Sequence, residues 1–590
     1  MGFTQTTLSG HIRQEYQNSH GIGFFYPEHR ARVSGISRVY GLAYIDEGWL
    51  ETERGTDKVE IIIGDKIYLA RLYVKNRYFV RTYDTTDFDD GELQITARAW
   101  DKSGNLIGCV SQMVFIDNAN AAEQKRVFAA PNGEISGDGS INSPWDIETA
   151  LTKMERGNIL FLRGGVYEKQ MIMNKSGFDN MPSVVMNYES ETVNLNGFGL
   201  EIKEGTSYFI LSGIDQSGTT HDNFGLHVYE NIEHVSVWDC SFCDNTHPYA
   251  SLPYQNLTEY GTGLYAGGIL NKSDQSRARR YFEVSHCLSS GNDVDGYHLA
   301  STVHGRFQFL EACWTPDSRN PEKRADIFQF RHANGFAADN SEYLWNCCVS
   351  NDIAYLFCYS HHNGQDGWDI RSPHTRLFGC VTHDEAEAGK YSGRPFGGVG
   401  FKFWEYDYHF ANCLSFRNNI TDYTGDGLVI ACDGVLEPRF ESYRRKNALI
   451  HNTAFYNTAN HAIAFGANSS EIHIKNCVIQ KAKRVLTDDI TGQREGYISH
   501  CILWDIATSV FDGGDKNLPV GFTKSQIAEP GFTDPEQGNF FPKENSIMLV
   551  SGNTAGMPFD VDGVDYSVLD GLGRPRGSCT ESGPYTRYDG

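Results

Sequence analysis

The stretch NCLSFRN, residues 412–418, sets a cysteine after an asparagine and ahead of a short run, and the chain repeats it. A small-residue or asparagine step followed by cysteine returns as DCSFCDN (239–245), HCLSSGN (286–292), ACWTPDS (312–318) and NCCVSND (346–352). It returns again as GCVTHDE (379–385), NCVIQKA (476–482) and HCILWDI (500–506), and HNTAFYN (451–457) fits with Thr453 in the cysteine position. From Cys287 the steps are 26 residues to Cys313, 34 to Cys347, 33 to Cys380, 33 to Cys413 and 40 to Thr453. Two steps of 24 then lead to Cys477 and Cys501. A unit of this length suits one coil of three short strands and three turns, and stacked coils form a parallel β-helix. The cysteines then make an internal column of small buried hydrophobes, not disulfides.

A second column runs through the same region. VDGYHLA (294–300), ANGFAAD (333–339), QDGWDIR (365–371), GVGFKFW (398–404) and GDGLVIA (425–431) align on Gly296, Gly335, Gly367, Gly400 and Gly427. Each glycine precedes an apolar or aromatic residue, and side chains alternate along a strand. If that residue points inward, the next points outward, giving the column His298, Ala337, Asp369, Lys402 and Val429. Asp369 and Lys402 should therefore be neighbours on consecutive coils, roughly 4.8 Å apart along the backbone. The residues before the glycines form a companion column: Asp295, Asn334, Asp366, Val399 and Asp426.

The rest of the chain bounds this reading. At 590 residues, 40% hydrophobic and 21% charged, it has the composition of a soluble globular protein with room for a long repeat domain and an accessory module. No long uncharged apolar run predicts a membrane span, and MGFTQTTLSGHIRQEYQ lacks the pattern of a secretory signal. The net charge of −24 argues against nucleic acid as the main partner, because phosphate binding needs a basic face. No CxxC…CxxC or CxxC…HxxxH set is present, so structural zinc is not expected. Residues 1–29 read as an N-terminal segment and 30–118 as a small β-sandwich. In the latter, KVEIIIGDKIYLARL (58–72) gives a hairpin and DDGELQITARAWDKSGN (89–105) an alternating strand between turns. The β-helix is expected over 119–590, with Ile147, Ala150, Leu151 and Met154 on the apolar face of one helix capping the open stack.

Oxygen donors from Asn334, Gln365, Asp366 and Asp369 are expected to converge on a hard cation such as calcium. Lys402 beside them would have its proton affinity lowered by that cation and by partial burial, making an amine able to take a proton. The opposing reading of the same charges is a ladder of exposed ion pairs worth little.

These motifs carry a resemblance. From about 285 to 550 the chain resembles the calcium-dependent pectate lyases of polysaccharide lyase family 9, through QDGWDI (365–370) followed by VGFKFW (399–404). AEPGFTDPEQGNFFPKENS (528–546) and LDGLGRPRG (569–577) look like the closing segment of such β-helix proteins. The stretch from VSGISRVYGLAYID (33–46) to MVFIDN (113–118) resembles bacterial immunoglobulin-like modules that precede carbohydrate enzymes. The resemblance implies an all-β, right-handed parallel β-helix in which Lys402 is the base and Asp366 and Asp369 bind calcium. Asn334 and Gln365 stand at two ligand positions that the family fills with aspartate.

The expected reaction is β-elimination on a uronic-acid-containing polysaccharide: a base removes the C5 proton and the glycosidic oxygen leaves C4. Substrate-binding candidates are Arg331, Arg371, Arg394 and Arg417 for carboxylates, with Trp404, Tyr406 and Tyr408 for sugar rings and His298 as a further polar group. His383 is a spare acid or base. Two other classes stay open: a β-helix hydrolase or phage tailspike using paired carboxylates among Asp366, Asp369, Asp384 and Glu385, and a non-catalytic glycan-binding protein. An extracellular or secreted location is expected, with a virion as the alternative. The oligomeric state is left open between monomer and trimer.

Overall fold

The computed structural model describes residues 21–43, 48–50, 55–119, 121–219, 224–246, 261–267, 277–314, 334–338, 351–385, 398–404, 407–418, 425–430, 446–465, 469–487, 497–519, 521–553, 558–562, 564–574, 576 and 581–587. Two long parallel sheets form the stack. One has 25 strands, from Arg126–Ala129 to Gln526–Ile527, and the other has 12, from Met171–Met173 to Ser509–Phe511. A coil contributes two strands to the first sheet and one to the second, as in Tyr408–Ala411, Leu414–Phe416 and Leu428–Ile430. The coil after it supplies Lys446–His451, Ala454–Tyr456 and His461–Phe465. The inward side chains of successive coils merge into one apolar core running from Val127 to Phe522.

The cysteine column exists, with two of its expected members replaced. Register places Cys240, Cys287, Leu310, Cys358, Cys380, Cys413, Thr453, Cys477 and Cys501 in line. Cys313 is displaced by three residues and pairs with Ser290 and His361, because this coil turns its corner at Phe309 and Leu310 takes the column position. Cys347 lies outside the described residues. All ten described cysteines are free thiols. The residue before each column member turns the corner with φ between 50° and 63°, from Asp239 to His500. Asparagine and glycine tolerate this left-handed region best, which explains why an asparagine or small residue so often precedes the cysteine.

At one end of the stack, the helix Ile147–Lys153 covers the open core. Asp146 caps it by accepting from the Glu148 and Thr149 backbone N–H groups. Ile147, Ala150 and Met154 are buried in the β-helix core. The free edge of Arg126–Ala129 is hydrogen-bonded by the chain just ahead of the helix: the Phe128 N–H donates to the Gly139 carbonyl and the Trp145 N–H to the Phe128 carbonyl.

Ahead of the β-helix, two smaller sheets share a separate core around Val39, Val59, Ile61, Ile95, Ala97 and Val114. One sheet orders Ile22–Tyr26, Ile36–Ala43, Tyr78–Asp84 and Arg71–Tyr73; the other orders Arg32–Val33, Leu106–Ile116, Gly91–Asp101, Thr56–Ile63 and Lys66–Leu69. The expected hairpin is formed by Thr56–Ile63 and Lys66–Leu69, turning at Gly64 and Asp65. This module rests on the 25-stranded sheet. Phe25 stacks on Phe309 and Phe357 (5.9 and 6.2 Å between ring centres), two corner residues that are themselves stacked at 5.4 Å.

Residues between Phe532 and Tyr585 return to the same seam and join its apolar cluster. Asn412 Nδ2 donates to the Leu569 carbonyl (2.7 Å), Asn452 Nδ2 to that of Glu581 (3.1 Å), and the Gly583 N–H to that of Asn476 (2.9 Å). Among the described residues, no helix is long and apolar enough to cross a membrane.

Candidate active site

The 12-stranded sheet has the register that the glycine alignment predicts. Tyr297–Leu299, Phe336–Ala338, Trp368–Ile370, Phe401–Phe403 and Leu428–Ile430 pair in order, with His298 beside Ala337, Ala337 beside Asp369, Asp369 beside Lys402 and Lys402 beside Val429. Tyr297, Phe336, Trp368 and Phe401 point inward and form a stack with ring centres 4.6–5.2 Å apart. The glycines before them have a steric reason. A Cβ on Gly367 would stand 2.5 Å from both the Gly400 carbonyl oxygen and Thr382 Oγ1, so a larger residue would push the coils apart.

Two carboxylates meet one ammonium on this face. Lys402 Nζ lies 3.1 Å from Asp366 Oδ2 and 3.3 Å from Asp369 Oδ2. The Lys402 side chain is 19% exposed, against 0% and 8% for the aspartates. The lysine side chain is therefore partly exposed while both acids are buried. Burial alone would lower the proton affinity of Lys402, but Asp366 and Asp369 outweigh it and hold the ammonium above the ordinary lysine range. Burial raises Asp366, and Lys402 offsets this only in part.

The remaining oxygens are engaged. Asp366 Oδ1 accepts from the Val399 N–H (2.9 Å) and Asp369 Oδ1 from Trp404 Nε1 (2.5 Å). The companion column is a ladder: Asn334 N–H donates to Asp295 Oδ1, Asp366 N–H to Asn334 Oδ1, and further on His461 N–H to Asp426 Oδ1. Asn334 is fully buried, and its amide nitrogen also donates to Asp295. Gln365 is half-buried next to Asp366, and its backbone carbonyl accepts from Gly398.

The donor chemistry fits a hard cation. Asp366 Oδ2 and Asp369 Oδ2 already converge on a positive charge, and oxygen is the donor such an ion takes. The Asn334 oxygen is turned to the backbone of the next coil, so the two aspartates are the protein groups available.

Other predicted residues separate from this point. Trp404 belongs to the site: its ring lies under both Lys402 Nζ (4.9 Å) and the Arg371 guanidinium (5.0 Å). His298 is on the same face two coils away, bonded through Nδ1 to Asp295 (3.1 Å). Arg417 is taken by Asp384 (2.9 Å) next to the Leu414–Phe416 strand of the other sheet. Tyr408 is buried against Phe403 in the core. His383 is buried between Tyr359 and Asp384, and burial brings it down to about 4. Arg331, Arg394 and Tyr406 lie outside the described residues.

The register extends the outward column beyond what the glycine motif reveals: Ile172, Glu201, His227 and Tyr265 precede His298. Phe224 stacks on Tyr265 (4.2 Å), His227 on Tyr229 (3.9 Å), and Tyr265 lies 5.1 Å from His298, so an aromatic strip runs along this face as far as His298, with Ala337 between it and Asp369. Only the coil spacing could have revealed His227 and Tyr265, and the 38-residue step between them obscures it. A separate cavity of about 330 Å³ lies at the seam between the small module and the stack, lined by Arg38, Trp238 and Glu283 among others, and none of the site residues borders it.

No protein-family model matches the chain. It is similar to pectate lyase L of Thermoclostridium stercorarium, 23% identical over 324 residues, which is 52% of this chain and 21% of that protein. It is also similar to a pectate disaccharide-lyase of Dickeya chrysanthemi, 23% identical over 213 residues, 36% of this chain and 25% of that protein. The aligned stretch thus spans about a quarter or less of these curated relatives. Among solved structures, the pectate lyase Pel9A aligns with 79% of this chain and 97% of its own at 14% identity and a TM-score of 0.42.

Proposed function

We propose that the protein is a polysaccharide lyase acting on a uronic-acid-containing polysaccharide by β-elimination, with Lys402 as the base. The observation that carries this reading is the partly exposed Lys402 side chain, its ammonium 3.1 and 3.3 Å from two buried carboxylates, on the sheet face that also carries His298, Tyr265 and His227. Likeness to curated pectate lyases supports the same class.

Asp366 and Asp369 would hold the assisting cation, calcium by the resemblance, with Gln365 beside them. Such an ion supplies positive charge against the substrate carboxylate and neutralises the two acids. Two opposing influences act on Lys402: burial lowers its proton affinity and the aspartates raise it. Were the aspartates neutralised in this way, burial would favour the neutral amine, and Nζ would accept the C5 proton. Arg371, packed on Trp404, is placed to pair with a uronate carboxylate along the chain. Tyr265 and His227 offer ring surfaces to the sugars that precede the cleaved bond. A polymer substrate of this kind places the enzyme outside the cell.

The paired-carboxylate hydrolase finds less support. Glu385 is enclosed by Ser360, Thr382 and Asn363, Asp384 is engaged by His383 and Arg417, and Asp366 and Asp369 share one lysine.

The test is ultraviolet absorbance of the new C4–C5 double bond, screened over uronate polysaccharides with calcium or chelator. A rise abolished by Lys402→Ala and by chelator is expected. Reducing ends without absorbance would sink the lyase reading.

A further inference from the structure

Glu311 and Cys313 stand two residues apart at the end of the Thr302–Cys313 strand, and residues two apart share a face. The next coil sets His361 beside Cys313. Register alone therefore gathers a carboxylate, a thiol and an imidazole on one patch of the 25-stranded sheet. One ligand atom from each lies within 4.8 Å of the other two, and His361 Nε2 is 3.3 Å from Glu311 Oε1.

The far sides of two of these groups are fixed. His361 Nδ1 is 2.7 Å from His362 Nδ1, and Glu311 Oε2 accepts from the Lys75 N–H at 2.9 Å. Metal-binding imidazoles and carboxylates are oriented in this way, by a hydrogen bond on the atom that does not touch the ion. Lys75 belongs to the small module, so the patch lies at the seam. The side chains of His361 and Glu311 are 12% and 17% exposed, which leaves water an approach.

We propose that Glu311, Cys313 and His361 form a binding site for a divalent transition-metal ion of the zinc class. Mixed sulfur, nitrogen and oxygen donors select such an ion over calcium, and three protein ligands leave a fourth position for water. On binding, the Cys313 thiol, which now donates to Ser290 Oγ (3.4 Å), releases its proton to solvent and its sulfur bonds the metal. This site is independent of the lyase reading, since it shares no residue with the Lys402 face.

The test is titration of the chelator-stripped 590-residue chain with cobalt(II), followed by near-ultraviolet thiolate-to-cobalt charge transfer and visible ligand-field bands. One equivalent should bind through the thiolate, as read from the near-ultraviolet band, whatever the Asp366–Asp369 pair takes up. Cys313→Ser should abolish the near-ultraviolet band, and His361→Ala should weaken binding by at least tenfold. His362→Ala, a positioning change, should weaken it by about tenfold. Cys109→Ser, at an exposed thiol elsewhere, and Lys402→Ala should leave the near-ultraviolet titration unchanged. Thermal melts of each variant establish that it is folded. No charge-transfer band in the parent protein, or a band that survives Cys313→Ser, would overturn the proposal. Should Cys313→Ser fail to fold, an unchanged titration in His361→Ala would overturn it instead.

Discussion

Glu385 and Asp366 are equally hidden from water, yet they belong to opposite kinds of surroundings. Beneath the open sheet runs a ladder of hydroxyls and amides in which Asn292, Asn363 and Asn418 donate to Ser289, Ser360 and Ser415. Glu385 occupies one rung of that ladder, accepting from Ser360 Oγ (2.6 Å), Thr382 Oγ1 (3.1 Å) and the Asn363 N–H (2.8 Å). All these partners are neutral, and burial pushes its carboxyl up to about 8. Asp366 faces a partly exposed lysine. An acid among neutral donors is part of the scaffold and keeps its proton. An acid paired with a partly exposed lysine is an ion whose partner can be exchanged.

The largest effect should come from removing that partner. Lys402→Ala is expected to lower the elimination rate by about 10²–10⁴-fold, the usual contribution of a general base. A rate within threefold of the parent would place the chemistry elsewhere. Next, Asp366→Asn and Asp369→Asn should each lower activity at least tenfold and blunt its response to calcium, as measured by initial rates over a calcium titration. In the parent enzyme with saturating calcium, the acidic limb of the pH–rate profile, where the base loses its proton, should lie below the ordinary lysine range and move upward at sub-saturating calcium.

Glu385→Gln tests the other half of the contrast. The folded protein holds this proton above the ordinary glutamate range, so its contribution to stability is present at low pH and lost as pH rises toward about 8. The amide should therefore raise the melting temperature by several degrees at pH 8 and by little at pH 5; equal shifts at both would refute a buried neutral acid. The smallest effect belongs to the aromatic strip. Tyr265→Ala should raise KM roughly 2–10-fold with little change in kcat, as befits a ring contact of about 0.5–1.5 kcal/mol.

Much of this was legible because a β-helix writes its geometry as a period. The glycine column could be aligned by eye, and the alignment put Asp369 beside Lys402 without any coordinates. Where insertions break the period, reading failed. Cys313 passed for a column member although Leu310 holds that place and Cys358 follows it. The phenylalanines before those two residues, Phe309 and Phe357, carry the seam with the small module, and no local pattern announces a corner that is also a docking point. Side-chain allegiance was equally hidden: Arg417 and His383 sit near the right motifs in sequence but turn to Asp384.

The segment between Phe532 and Tyr585 changes how such a stack should fail. A plain solenoid holds each coil only by its neighbours and can open one coil at a time. Here a single stretch of chain is hydrogen-bonded to the corners at Asn412, Asn452 and Asn476, and its apolar side chains join those of the small module. It works as a splint laid across several vertebrae. Bending the column at any one of them strains its grip on the others, so heat should undo the splinted coils in one transition while those nearer the capping helix keep a stability of their own.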